Sequence, residues 1–150
     1  MATPMPTGAK LMAAASFAVV GWVMASYYAM NMPDAAAGGP MREAAAVVGA
    51  IIGWKIMGPT VGRGYVEAAG SGIKTAVVLA VAALFLLAMR EMLDNSVKMR
   101  YDGALDAITD VFQLMAQRSQ ALLSLGVFGT ILFGGIIAGL LSENAGRRWK

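Results

Sequence analysis

Two stretches of this chain, Leu11 to Met30 and Ala121 to Leu141, run for 20 and 21 residues without one charged side chain. They constrain the fold more than any other feature. An α-helix rises about 1.5 Å per residue and the hydrocarbon core of a bilayer is about 30 Å thick, so each stretch is long enough to cross it. Inside hydrocarbon no water is available to backbone N–H and C=O groups, and a crossing segment must satisfy them internally as helix. Composition agrees: 58% of the 150 residues are apolar, 14% are charged, and mean hydropathy is +0.63. These values lie outside the soluble range. The expected fold class is all-α: a polytopic membrane protein with four transmembrane helices as two hairpins, forming a single helical membrane domain over residues 1–150.

The expected membrane helices are 11–30, 41–57, 66–89 and 119–141, with an amphipathic outer segment over 90–118. A short lead containing Pro4, Pro6 and Gly8 ends at Lys10. The first helix carries Tyr27 and Tyr28 near its end, where aromatic rings suit the headgroup region. Ala35-Ala36-Ala37 after it resembles a signal-peptidase site, but the preceding apolar run exceeds the roughly 7–15 residues of a typical signal core. An Ala/Gly/Pro loop over Pro33 to Pro40 is the plainer reading. The second run, Ala44 to Met57, has 14 residues and includes Lys55. Beginning the helix at Met41 and letting Lys55 snorkel to the headgroups completes a crossing; a re-entrant helix is the alternative. Gly58-Pro59 stops it, and Gly62-Arg63-Gly64 forms a basic turn. The third helix begins near Tyr65, because Gly70 and Gly72 are tolerated in membrane helices.

From Arg90 onward the apolar residues become periodic. Met89, Met92, Leu93 and Val97 fall on one side, and Glu91, Asp94, Asn95 and Lys98 largely on the other. After a turn at Tyr101-Asp102-Gly103, Leu105, Ile108, Val111, Phe112 and Met115 form a second stripe, with no Gly or Pro before Gly126 to prevent direct continuation into the last span. Two arms projecting as a hairpin would bury these stripes against each other; laid flat on the headgroups, they would meet lipid instead. Lys and Arg counts orient the chain. With the N-terminus inside, seven basic residues (Lys10, Lys55, Arg63, Lys74, Arg147, Arg148, Lys150) lie on the inner side and five (Arg42, Arg90, Lys98, Arg100, Arg118) outside. The bias places both termini in the cytoplasm.

Neither Cys nor His occurs, which excludes disulfides, thiolate and imidazole metal sites, His-ligated haem, iron–sulfur clusters and Cys- or His-dependent nucleophiles. No catalytic residue, cofactor or metal is expected. The net charge of +3 does not imply nucleic acid, since the basic residues are scattered singly at the ends of apolar runs. The expected partners are the lipid bilayer and a membrane-protein complex or a second copy of the chain. Gly49 and Gly53, and again Gly135 and Gly139, make small-x3-small steps that let helix backbones approach closely. They fit packing between these helices within one subunit, a homo-oligomer contact or a pore lining. Gly49-Ala50-Ile51-Ile52 and Gly134-Gly135-Ile136-Ile137 are locally similar, a short signal of two related hairpins. Methionines 30, 32, 41, 89, 92 and 99 gather toward the outer side, where thioethers fit either Cu(I) or irregular helix packing. Asp102, Asp106 and Asp110 share a helix face, which suits a solvated surface or a divalent cation. Lys55, Lys74 and Glu67 lie near membrane depth at helix ends, away from the centre where ion-coupled transporters keep an ionisable group. Lys55 and Arg63 form a candidate basic site around the turn.

The run Gly53-Trp54-Lys55-Ile56-Met57-Gly58-Pro59, continuing to Gly62-Arg63-Gly64-Tyr65, together with Glu91-Met92-Leu93 and Tyr101-Asp102-Gly103, resembles the TrgA family of small membrane proteins. With Pro6-Thr7 at the start and Gly146 to Trp149 at the end, the resemblance covers nearly the whole chain. It implies a bacterial inner-membrane protein associated with tellurite resistance. Tellurite reduction calls on thiols or redox cofactors, so a non-enzymatic, indirect contribution is expected, through membrane passage or support of another protein. An accessory subunit of a respiratory or photosynthetic membrane complex and a small oligomeric pore or exporter are the alternatives. The turn around Arg63 suits either oxyanion attraction or a plain topology element.

Overall fold

The computed structural model describes residues 7–31 and 40–149. The cleavage-like Ala35-Ala36-Ala37, most of the Pro33 to Pro40 loop and Met32 lie outside the described residues. Among those described there are helices and no strands. Helix α1 is Thr7–Asn31 and α2 is Pro40–Ile52, prolonged by a π turn over Gly53–Met57 and a 3₁₀ turn over Gly58–Thr60. Helix α3 is Tyr65–Val97, α4 is Ala104–Leu122, and α5 is Leu125–Arg148 with a π turn at Thr130–Gly134.

Between Ala76 and Met89 helix α3 is apolar around its whole circumference. Leu79, Leu84 and Leu87 are buried, while Val77, Val81, Phe85 and Leu86 on other sides are exposed. A helix with no polar face suits hydrocarbon rather than water. Three helices, α1, α3 and α5, are long and apolar enough to cross a membrane, and the chain is a membrane protein. The α2 segment is helical over residues 40–60, carries Arg42, Glu43 and Lys55, and is not among these three.

Close backbone approach organises the packing. A Cβ on Gly21 would meet the Ala45 carbonyl, one on Gly49 the Phe17 carbonyl, and one on Gly53 would stand 2.6 Å from the Ala13 carbonyl oxygen. The descending and ascending numbers make α1 and α2 antiparallel. Helices α3 and α5 are related in the same way: Gly139 abuts the Ala68 carbonyl, and Gly72 abuts that of Gly135. Helix α1 also packs on α5, joining the two pairs. Phe17, Met24, Met57, Leu79 and Val127 fill the shared core.

At 33 residues α3 is about 50 Å long, well beyond a hydrocarbon core thickness of about 30 Å. It stops earlier than Tyr101-Asp102-Gly103. Met99 takes a positive φ of 51°, its N–H donates to the Ser96 carbonyl at 3.0 Å, and that of Arg100 donates to Asn95 at 3.3 Å. This paired closure with a left-handed residue is a common helix terminator.

Two expectations for the hairpin need correction. First, the amphipathic stretch does not continue into the last span: α4 ends at Leu122, and α5 covers 125–148 rather than 119–141. Ser124 has an extended backbone (φ −60°, ψ 142°). Its carbonyl accepts from Phe128 N at 2.9 Å, and its Oγ accepts from Asn31 Nδ2 at 3.3 Å, tying the break to the end of α1. Second, the stripes are only partly buried. The seam consists of Ala88, Met89 and Met92 against Val111, Leu114 and Met115, while Leu93, Val97, Leu105, Ile108 and Phe112 are exposed. At about 100° per residue the α4 apolar residues spread over roughly half the helix surface, more than one antiparallel neighbour covers.

Candidate functional site

Glu143, Thr75 and Ser142 are the fully buried polar side chains among the described residues. Thr75 and Ser142 satisfy their hydroxyls on their own helices, donating to Ser71 O at 2.7 Å and Ala138 O at 2.7 Å. Glu143 carries charge and reaches across the molecule. Gly62 N donates to its Oε2 at 2.6 Å, and Arg147 Nε, one turn along α5, donates to Oε1 at 3.1 Å. The Gly64 backbone donates to the same carboxylate. Removing a carboxylate from water costs several kcal/mol unless such donors replace the lost hydration.

The sequence folds this way because of the turn between α2 and α3. Gly62 and Gly64 have φ values of +100° and +122°, which side chains with a Cβ rarely adopt. Glycine at both positions lets nearby N–H groups converge on one anion. Arg147 adds a second link: its guanidinium lies 4.4 Å from the ring centroid of Tyr65, the first residue of α3. Gly146 abuts the Val61 side chain. The end of α5 is therefore clamped on the α2–α3 turn by charge, hydrogen bonds and ring stacking.

Lys55 and Arg63 are both exposed, and neither makes an ion pair among the described residues. The structure does not bring them onto Glu143. Backbone donors of the turn are instead engaged by an internal carboxylate. Sequence reasoning missed Glu143 because it lies just beyond the apolar run ending at Leu141. The Glu143/Arg147 spacing of four was the available signal.

A second polar cluster sits at the base of the hairpin. Arg118 of α4 donates to both carboxylate oxygens of Glu91 on α3, at 3.0 and 3.1 Å, and also bonds the hydroxyl of Tyr28 on α1. Nearer the tip, the Tyr101 hydroxyl donates to Asp110. Partial desolvation, and then this carboxylate, hold its phenol above the ordinary tyrosine pKa. Asp102 and Asp106 are exposed. No group of three or more potential Asp, Glu, His or Cys metal ligands occurs among the described residues. Met89 and Met92 belong to the hairpin seam, Met41 packs on the main core, and Met30 and Met99 are exposed, so these thioethers do not converge.

The four glycines of the small-x3-small steps serve two separate contacts. Gly49 and Gly53 meet α1, and Gly135 and Gly139 meet α3; the two pairs do not meet each other. Chemically, the arrangement fixes helix ends and spacings through satisfied donors and acceptors. Comparison with protein-family models, with curated proteins and with solved structures gives no match to this chain.

Proposed function

We propose that this chain is a non-enzymatic, four-span protein of the bacterial inner membrane, with both termini cytoplasmic, that aids tellurite tolerance indirectly by supporting another membrane protein. The observation that carries this reading is the exposed apolar strip of Leu105, Ile108 and Phe112, at helical spacing on α4 outside the α3–α4 seam; in this reading the hairpin lies beyond the membrane. An apolar strip beyond the membrane is a docking surface in search of a partner. The resemblance to the TrgA family supplies the link to tellurite. Role as an accessory subunit of a respiratory or photosynthetic complex is the second reading, favoured by the same strip. A pore through one subunit is less well supported, because Phe17, Met57 and Leu79, all fully buried, fill its core.

The test is purification of the tagged full chain in mild detergent from cells challenged with tellurite. A stoichiometric partner should accompany it and be lost, together with tolerance, in an Ile108→Glu, Phe112→Glu double variant. Isolation of the native chain alone, or unchanged tolerance on deletion, would sink the proposal; a respiratory or photosynthetic complex as the partner would select the second reading.

A further inference from the structure

Helices α1 and α5 leave between them an open groove of about 410 Å³, walled by Met12, Ala15, Val19 and Val23 on one side and Ile137 and Leu141 on the other. Its polar atoms are already engaged. Ser16 Oγ donates to Met12 O at 2.8 Å and Thr130 Oγ1 to Gly126 O at 2.8 Å, so the walls offer hydrocarbon contact and no unmet hydrogen bond.

Dimensions select the occupant. From Met12 to Val23 the groove runs about 16 Å along α1, roughly one leaflet of a core about 30 Å thick. A volume of about 410 Å³ over that length gives a cross-section of about 25 Å². A helix about 10 Å wide would rest across the open mouth of such a slot without filling it. A single polymethylene chain at carbon contact distances of about 4 Å needs roughly 15 Å² and ends at the midplane.

The end of the groove nearest the chain termini carries positive charge. On α5 the strip Ile137, Leu141 continues in helical register to Asn144 and Arg148, and Arg148 is exposed without an ion-pair partner among the described residues. The Trp149 ring rests on Gly8, one turn before Met12, and the residue is 59% exposed. An indole and an arginine at the mouth of an apolar slot match a headgroup level.

The geometry points to a binding site for one anionic phospholipid, with an acyl chain in the α1–α5 groove and its phosphate at Arg148 beside Trp149. The site is independent of any protein partner on the hairpin.

The test uses the full chain in mild detergent, with palmitoyl-oleoyl phosphatidylglycerol and palmitoyl-oleoyl phosphatidylcholine compared by native mass spectrometry. About one phosphatidylglycerol should remain bound per chain, with roughly fivefold preference over phosphatidylcholine, the worth of one basic side chain at an anionic surface. Ala15→Trp fills the groove from its exposed wall and should abolish retention of both lipids. Arg148→Gln should keep retention and erase the preference. If Ala15→Trp fails to fold, Val19→Phe blocks the same wall. Undiminished retention in the filled variant, an unchanged preference in Arg148→Gln, or equal retention of the two lipids by the native chain would each overturn the site.

Discussion

At the residue scale, Glu143 shows how a single buried charge shapes a membrane protein. Its carboxylate has no exposed surface and is held by donors from the α2–α3 turn and from Arg147. Glu143→Ala would leave the Gly62 N–H without its acceptor and Arg147 without its counter-charge. The expected cost is about 1–3 kcal/mol, the net worth of hydrogen bonds to a charged group. Arg147→Ala should cost less, because that side chain is half-exposed and pairs partly with solvent. Denaturant unfolding in detergent, followed by helical circular dichroism, ranks the two; equal stability of Glu143→Ala and the native chain would remove the clamp from this account.

At the element scale, glycine placement sets helix separation. Gly70 and Gly72 stand two apart on α3, yet a Cβ at Gly70 meets nothing, whereas one at Gly72 collides with the Gly135 backbone. Gly72→Ala should therefore destabilise by about 1–3 kcal/mol through overpacking, and Gly70→Ala should be neutral or gain up to about 1 kcal/mol from helix propensity. Similar values for both, measured in the same unfolding assay, would contradict the close α3–α5 contact. The steps at Gly49/Gly53 and Gly135/Gly139 were visible in the sequence because small-residue spacing is a local pattern. Their partners, α1 and α3, were not visible, since several apolar helices offer equivalent surfaces. The hairpin stripes were over-read for a related reason: periodicity shows that a face is apolar, while cover depends on how many neighbours arrive. Of the α4 stripe, Val111, Leu114 and Met115 lie in the seam with α3, while Leu105, Ile108 and Phe112 are exposed.

At the scale of the whole molecule, the proposed orientation makes a directional prediction. Asp106 lies on the α3–α4 hairpin and Arg63 at the turn clamped by Glu143, toward opposite ends of α3. Both positions are exposed. In spheroplasts, a cysteine in place of Asp106 should react with an impermeant thiol reagent added outside, and one in place of Arg63 should react only after permeabilisation. Labelling in the reverse order would invert the chain, leaving the packing described above untouched.

The membrane environment and the helical character of this protein were settled by the sequence alone, because run length and apolarity are sums over neighbouring residues and hydrocarbon leaves the backbone few other choices. The break at Ser124, the exposed flank of α4 and the clamp on Glu143 were decided by tertiary structure. Each depends on groups distant along the chain: Asn31 meets Ser124 across 93 residues and Gly62 meets Glu143 across 81. Local composition carries no record of such meetings; they exist only once the helices have taken their places.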